Sequence, residues 1–395
     1  MQEIQFKNLQ DDIVYHANIF NYDKKFLTQL LNKGIKINFS DYFAEKNKNK
    51  KNENNENNEK KEKEDISFVI NFFNSKAKDQ VESLTIAVDH EYGKATDDEK
   101  KFKETKKDRK AFELLINLFR FCHDKLKEKL GQNNKGNNQI DVGDPTLDNL
   151  IACLLFFDGI SMVNIDIIKL IENQIPLVDM IFELLNNEGI DFHIKEIASH
   201  ILSIDLMQKD GSIDNEKENF SKNCKNLINW LYKINSQPKR DSCLTSNLSL
   251  LLTIDENIDY FLGKEFNKEY NHLRKIFELM TDADININII YESLLCLWNI
   301  SSNKKYFYIF EDKNNKYIEK IVQVIRTNKI DKVARIGLMT LQNLLDSQIC
   351  VEILFDIKFM QTVSILLTNK WNDPVIRELL NFCLDFLEKN YKSMK

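Results

Sequence analysis

The last third of the chain repeats one pattern three times, and this repetition constrains the fold more than any other feature of the sequence. The three segments span residues 273–301, 318–347 and 362–389. Each begins with a short amphipathic stretch, passes through a polar turn and ends in a longer, more apolar stretch, which predicts two helices per unit. Because one such unit cannot bury its apolar side alone, successive units must stack on one another.

The spacing of the units indicates the kind of stack. Leu297, Leu341 and Leu384 occupy matching places in the three segments, and their separation agrees with the roughly 40–47-residue period of armadillo and HEAT repeats. We therefore predict an all-α fold, an armadillo/HEAT-like α-solenoid in which helical repeats form a right-handed superhelix. A surface of this kind is typical of protein binding and rarely carries catalytic chemistry.

The composition agrees with helices and disfavours several classes of partner. The chain has only 10 Gly and 4 Pro among 395 residues, whereas folds made of strands need many more turn residues. The net charge is −6 with Lys and Glu intermixed, so we expect no nucleic-acid binding. The longest apolar runs, such as residues 151–157, are much shorter than the roughly 20 residues that span a bilayer. The first residues also lack the apolar stretch of a secretory signal, so we expect no direct membrane insertion.

Three regions are predicted along the chain. Residues 1–43 are expected to form an N-terminal helical segment, and residues 44–65 a disordered low-complexity insertion, because positions 45–65 contain no apolar residue. Residues 66–395 are expected to form the solenoid, with its clearest repeats at 273–395. Two further polar stretches, 93–110 and 131–143, are predicted to be long loops.

The sequence carries none of the usual motifs for catalysis, cofactors or metals. It has no GxxxxGK[ST], GxGxxG or HExxH, which disfavours the usual phosphate-binding loops and zinc-protease sites. His193 and His200 lie seven residues apart on one predicted helix, but no third ligand is evident. The seven Cys include no CxxC, which favours reduced thiols in the core. We therefore predict no catalytic, cofactor-binding or metal-binding residues and no enzymatic activity.

Two similar turns supply the first candidates for contact with a partner. Asp331 and Asp373 each stand at the start of a predicted helix, and Arg335 and Arg377 follow four residues later. Asp at such a position can cap the free amide groups of the first turn, and Arg can reach a carboxylate in the neighbouring repeat. This arrangement is mainly a device for stacking repeats, and binding of a partner is the alternative.

Tryptophan supplies the remaining candidates. Trp298 lies in an apolar run and is expected in the core, whereas Trp371 lies in a polar turn. There it either covers the core between repeats or acts as an exposed anchor for another protein. The candidate partner-binding residues are Lys332, Arg335, Trp371 and Arg377.

The order of motifs in the C-terminal half resembles the N-terminal domain of the family of vacuolar ATPase (V-ATPase) H subunits. An apolar helix bearing Trp at 294–300 is similar to one in that family, as is the K-V-x-R-I pattern at 332–336. The ending N-[FL]-L-[ED] at 343–346 and the turn K-[YW]-x-D-x-x-[IV] at 370–376 follow in the same order. The resemblance is good over residues 220–395 and weaker, in order of elements only, over the rest.

This resemblance implies a regulatory, non-catalytic subunit of the cytosolic sector of a proton pump. In that family the N-terminal solenoid binds the peripheral stalk formed by the E and G subunits. The membrane sector's a-type subunit and the catalytic-sector subunits are further candidate partners. The implied location is cytoplasmic, on the cytosolic face of acidic endomembranes such as vacuole, endosome and lysosome, held there through the complex. No cofactor is implied.

One departure from the family limits what carries over. The family has a second, C-terminal helical domain that restrains ATP hydrolysis when the pump's sectors separate, and we expect it to be absent here. The resemblance therefore implies stalk docking but not the inhibitory role. The alternative is an unrelated armadillo-type scaffold or cargo adaptor that binds another protein. Peptide-carrying adaptors show Asn and Trp ladders on successive third helices, and the sequence shows no such ladder.

Overall fold

Among the residues that the computed structural model of the chain describes, the regular structure is helical apart from one short strand pair. Strand β1 (Ile4–Gln5) pairs antiparallel with β2 (Lys36–Ile37). The chain divides into two compact units, Met1–Asp210 and Gly211–Lys395. The residues described are 4–5, 36–48, 65, 67, 69, 83–86, 99–132, 144–164, 166–208, 214–234, 241–263, 272–282, 284–369 and 371–394.

The first unit is built around α3, which packs against α2 and against α6. The start of α3 agrees with its sequence, since Asp144 caps it by accepting the N–H of Thr146 at 2.8 Å and Pro145 is its first residue. The helices of this unit are α1 (Ser40–Lys48), α2 (Glu99–Gln132), α3 (Pro145–Val163), α4 (Ile167–Glu172), α5 (Leu177–Asn186) and α6 (Phe192–Gln208).

The predicted loop at 93–110 is wrong where the structure describes it, because residues 99–110 are the first turns of α2. The stretch lacks apolar periodicity, but Lys and Glu are strong helix formers. Arg109 pairs with Glu113 one turn later at 3.0 Å, and Lys110 pairs with the buried Asp65 at 2.8 Å. Helix propensity and ion pairs therefore extend α2 beyond its apolar part.

Much of the predicted low-complexity region cannot be compared with the structure. Helix α1 continues to Lys48, inside the expected insertion at 44–65. Residues 49–64 and 133–143 lie outside the described residues, as do residues 6–35 of the expected N-terminal segment. The expected boundaries at 43 and 65 stay predictions.

In the described residues of the second unit, two leading helices are followed by three repeats of three helices each. The prediction of two helices per repeat was wrong, because a further helix of 4 to 9 residues precedes the two predicted ones in each repeat. Three helices per repeat are characteristic of armadillo proteins. The leading helices are α7 (Asp214–Ile234) and α8 (Asp241–Leu251). The repeats are α9 (Asp255–Leu262), α10 (His272–Thr281) and α11 (Ile287–Ser301); a 3₁₀ turn (Lys304–Tyr306) with α12 (Tyr308–Glu311), α13 (Tyr317–Thr327) and α14 (Asp331–Leu344); and α15 (Gln348–Asp356), α16 (Phe359–Leu366) and α17 (Pro374–Met394).

The repeats of this unit stack in chain order. The leading helix α8 packs against α11, the third helix of the first repeat, and α11, α14 and α17 then pack in this order. Each second helix lies against the third helix of its own repeat. Between the second helices α10 and α13, the rings of Phe277 and Tyr317 stack with centroids 3.7 Å apart and planes 2° apart. The predicted all-α armadillo-like fold is confirmed. Within the described residues, no helix combines the length and apolar character needed to cross a bilayer.

The turn between the first and second helix of a repeat recurs with an unusual backbone. Lys316 and Lys358 directly precede α13 and α16, and they are the described non-glycine residues with positive φ, at 54° and 56°. This left-handed conformation costs an L residue about 1–2 kcal/mol. It appears at the same place in two repeats, directly before the second helix.

Gly337 marks a close approach between α14 and the second helix of its repeat. A Cβ atom at this position would lie 2.6 Å from Cγ1 of Ile325 on α13 and 3.9 Å from Cδ1 of Leu294 on α11. Both neighbours are fully buried, so they have little room to move. The missing side chain lets three helices meet at this point.

We predict that Gly337→Ala lowers the free energy of unfolding by about 1–3 kcal/mol through overpacking, despite the better helix propensity of Ala. Urea unfolding followed by circular dichroism measures the change. Gly189→Ala is the control: its Cβ would meet the terminal Cδ2 of Leu130, at 2.8 Å, and Oδ1 of Asn187, at 3.4 Å, and both side chains border open space. An unchanged or higher midpoint for Gly337→Ala would contradict the close approach.

All seven Cys are free and buried, as the sequence predicted. Burial raises the pKa of the Cys122 and Cys383 thiols to about 12 and that of Cys350 to about 11. A raised pKa leaves almost no reactive thiolate near neutral pH.

We therefore predict that iodoacetamide at about pH 8, close to the pKa of a free thiol, modifies none of the seven thiols of the folded protein within minutes. The same treatment in denaturant should modify all seven, as intact mass measures. Rapid modification of the folded chain at one Cys would show a reactive thiol that this packing does not account for.

Candidate docking surface

The third helices of the second unit share one face that the described helices around them leave at least partly exposed. Residues that are at least partly exposed recur along each of these helices at the fifth, ninth and twelfth positions, a spacing that keeps them on one side of a helix. We call this surface the third-helix face. It comprises Tyr291, Leu295 and Trp298 on α11; Arg335, Met339 and Gln342 on α14; and Glu378, Phe382 and Asp385 on α17.

The ninth residues form an apolar row across this face. Leu295 and Met339 are half-buried, and Phe382 is 46% exposed with its ring 6.4 Å from that of Phe386. Single exposed apolar residues are ordinary on a protein surface. Three at the same position of three stacked helices instead form one row across the stack. The sequence analysis missed this row, because its signal depends on knowing where each third helix begins.

Trp298 lies beside this row, at the twelfth position of α11. It is half-buried rather than in the core, so the expectation for this residue was wrong. Its helix is apolar on several sides, and sequence periodicity could not tell which of them faces the second helix.

Lys332 and Arg335 join α14 to the repeats on either side. The ammonium group of Lys332 donates a hydrogen bond to Oδ1 of Asn288 on α11 and lies 5.0 Å from the ring centroid of Tyr291. Arg335 donates from Nη1 to Oδ2 of Asp373 at 2.9 Å. Both cations therefore help to stack repeats, as the sequence suggested for the Arg residues.

Asp331 and Asp373 play different parts. Asp373 caps α17, because its Oδ1 accepts the N–H of Val375 at 3.0 Å. Asp331 is already the first helical residue of α14 and does not cap it. Its Oδ2 instead accepts the N–H groups of Asn372 and Asp373 at 3.0 and 2.9 Å. The expectation that Asp331 caps its own helix was wrong, since its carboxylate fixes the turn of the following repeat.

Trp371 and Arg377 complete the predicted set. Trp371 is half-buried and donates its indole N–H to the carbonyl oxygen of Leu366, 2.9 Å away at the end of α16. This contact favours the covering role over the anchor role. Arg377 is exposed on α17, and no ion pair of it is seen among the described residues. Contact of any of these residues with a partner stays a prediction.

Asparagine side chains on the third helices are used within the stack. Asn299 donates to the carbonyl oxygen of Ser249 at 2.9 Å, and Asn343 donates to Oγ of Ser301 at 3.1 Å. The buried Glu292 accepts the hydroxyl of Thr245 at 2.7 Å. These contacts link α8, α11 and α14 and engage the amides of Asn299 and Asn343, whereas Asn381 on α17 is exposed.

The first unit has a concavity of about 300 Å³ between the end of α2 and the end of α5. Its polar groups pair with each other: Lys127 lies 2.7 Å from Glu183, and His123 lies 3.5 Å from the same carboxylate. Leu130 and Ile190 form part of an apolar wall. Because these charges neutralise each other, the concavity shows no preference for a charged ligand.

The two His considered as metal ligands face different carboxylates. His200 is buried with its Nδ1 2.5 Å from Oδ1 of Asp158 on α3, whereas His193 lies 3.6 Å from Glu196 on its own helix. Among the residues that the structure describes, no group of three His, Cys, Asp or Glu is arranged to hold a metal ion.

We predict that Asp331→Ala and Asp373→Ala each lower the free energy of unfolding by about 1–2 kcal/mol, because each leaves backbone N–H groups without an acceptor. Arg335→Met should cost less than about 1 kcal/mol, since the Arg335 side chain is 42% exposed. Thermal unfolding of the variants measures the order, and a larger cost for Arg335→Met than for either Asp variant would contradict it.

Comparison with known proteins agrees with the motifs noted in the sequence. The model of the family described as the H subunit of V-ATPase matches residues 148–387. The H subunit of the V-type proton ATPase of Dictyostelium discoideum is 26% identical over 216 residues, which are 54% of this chain and 45% of that protein. The chain thus spans about half the length of the curated relative it matches.

Solved structures with a similar arrangement of helices include designed armadillo repeat proteins. The designed armadillo repeat protein YIII(Dq)4CqI has a TM-score of 0.46 at 13% identity, covering 64% of this chain and 98% of its own. A computationally designed armadillo repeat protein for modular peptide recognition has a TM-score of 0.45 at 13% identity, covering 62% and 95%.

Proposed function

The chain belongs to the family of V-ATPase H subunits, and from this membership we propose that it is a regulatory, non-catalytic subunit of the cytosolic sector of a V-type proton pump. It docks on the peripheral stalk formed by the E and G subunits and supports assembly of the pump and coupling of ATP hydrolysis to proton transport. The observation that carries the proposal is the family match at 148–387, since this range contains most of the stacked helices of both units.

The stacked repeats suit such a docking role. Arg335 with Asp373 and Asn343 with Ser301 fix each third helix against its neighbour. A surface held in one arrangement before binding loses little conformational entropy when a partner arrives. The third-helix face is therefore a preorganised platform, and its exposed residues are available for contact.

A role through binding rather than catalysis agrees with the chemistry of the buried groups. His200 is held by Asp158, and the thiols of Cys122 and Cys383 have strongly raised pKa values. These groups stabilise the core and are remote from solvent. The protein then reaches the cytosolic face of acidic endomembranes through the complex, with the membrane sector's a-type subunit and the catalytic-sector subunits as further contacts.

The alternative is an armadillo scaffold or cargo adaptor outside the pump. Asn ladders that hold extended peptides require Asn amides on the third helices that face the peptide, and Asn299 and Asn343 are instead engaged within the stack. Asn381 on α17 is exposed, so it is the family match that favours the pump subunit.

Purification of the tagged protein from gently solubilised membranes, followed by chemical cross-linking and mass spectrometry, tests the proposal. We expect pump subunits in the purified material and cross-links from this chain to the E and G subunits. A tagged unrelated armadillo protein from the same cells is the control for non-specific recovery. Absence of both stalk subunits, under conditions in which a tagged catalytic subunit recovers the whole pump, would overturn the proposal.

A further inference from the structure

We propose that the third-helix face binds one α-helix of the stalk, which crosses α11, α14 and α17 over their ninth residues and contacts them with an apolar heptad stripe. This inference rests on the proposed function and deepens it by specifying the shape and chemistry of the partner segment. The apolar row of Leu295, Met339 and Phe382 is the observation from which it starts.

The direction of the row follows from how the third helices are aligned. Asn288 near the start of α11 contacts Lys332 near the start of α14, and Ser301 at the end of α11 contacts Asn343 at the end of α14. The N-terminal ends of the two helices are therefore adjacent, as are their C-terminal ends, so α11 and α14 run parallel. Residues at equal positions lie side by side, and the row runs across the helices rather than along them.

The spacing of the row fits a helix better than an extended strand. Packed helices lie about 8–10 Å apart, and seven residues of an α-helix rise about 10.5 Å. A helix with an apolar residue at every seventh position thus meets each of the three row residues in turn, and the row corresponds to about two heptads. Residues on one side of a strand recur at about 6.6 Å, which does not match.

The two sides of the row differ in charge. Toward the helix starts lie charges of both signs, the cations Lys332, Arg335 and Arg377 together with the carboxylates of Asp331, Asp373 and Glu378. Because the helices are parallel, their positive dipole ends add to this side. Arg335 also forms an ion pair with Asp373, which partly neutralises its positive charge.

The opposite side is acidic. Asp346, Asp385 and Glu388 lie toward the helix ends with one exposed cation, Lys389, while Asp346 also pairs with Lys304. The negative dipole ends of the helices reinforce this sign. The partner helix should therefore carry basic residues on the side of its apolar stripe that lies over the ends of these helices.

The row has a definite end. On α8, which precedes α11 in the stack, the half-exposed positions include Ser242 and Ser249, and Ser246 is buried. The hydroxyls of Ser246 and Ser249 bond within the helix, to the carbonyl oxygens of Ser242 at 2.9 Å and Ser246 at 2.8 Å. On this side of the stack the apolar row therefore stops at α11.

Phe382 is the residue to change first, because it is the most exposed of the row and aromatic anchors often dominate binding. Ile365 on α16 is the matched control: it belongs to the same repeat, is 59% exposed and lies on a second helix, outside the third-helix face. Phe382→Asp and Ile365→Asp introduce the same charge at exposed sites, so both variants should fold.

The experiment measures the affinity of the full chain for a purified complex of the E and G subunits. We expect Phe382→Asp to weaken binding at least tenfold and Ile365→Asp less than twofold. Asp385→Lys, which reverses a charge on the acidic side of the row, should weaken binding about threefold at low salt. The effect should be smaller at high salt because exposed charges are screened.

The outcomes separate the two proposals. If the wild type binds the complex and Phe382→Asp binds equally well, or Ile365→Asp loses as much, the crossing site is wrong while the proposed function stands. If the wild type does not bind, the proposed function fails and the crossing site fails with it.

Photo-cross-linking tests the helical geometry separately. Benzoylphenylalanine placed at Leu295 and at Phe382 should cross-link to positions about 14 residues apart in one stalk protein, since the row spans about 20 Å. Cross-links about six residues apart would indicate an extended segment and would overturn the helix.

Discussion

The structure of the second unit depends on the packing of each third helix against the next. Leu294, Cys296 and Leu297 of α11 are fully buried, and their burial requires neighbours on both sides. Such a helix would expose a large apolar surface if its repeat stood alone, so the stack is a condition for folding rather than a later assembly. The close approach at Gly337 brings α14 within reach of both α11 and α13.

Polar contacts then fix how the packed helices are aligned. Apolar packing alone would tolerate small shifts of one helix along another, whereas hydrogen bonds and ion pairs require particular distances. Asn299 with Ser249, Asn343 with Ser301, and Asp331 with the turn at 372–373 each link one repeat to another. Their effect is to place the ninth residues of α11, α14 and α17 side by side.

The same contacts explain why the chemically conspicuous residues are poor guides to binding. Lys332, Arg335 and Trp371 drew attention in the sequence because charge and indole rings often mark interfaces. In the structure each has an intramolecular partner. The surface that remains for another protein is formed by less conspicuous residues, such as Leu295 and Met339, which the stack leaves partly uncovered.

The sequence by itself determined the helical class, the period of the repeats and the family. Apolar periodicity and scarce Gly and Pro act locally, so they can be read without a structure. The cap of α3 at Asp144 is likewise local, because capping depends on neighbours in the chain. The sequence did not reveal the first helices of the repeats, of which α12 has 4 residues, a single turn that shows no period. It also failed for residues 99–110, which are helical because of the helix propensity of Lys and Glu and not because of an apolar period.

Only the tertiary structure decided which residues share a face and which form contacts between repeats. Asp331 reaches amide groups about 40 positions later in the chain, and no local pattern predicts such a partner. The apolar row depends on the register between three helices, since a shift by one residue turns a helix by about 100°. Register is set by side chains that meet only after folding, and the docking surface is therefore a property of the stack.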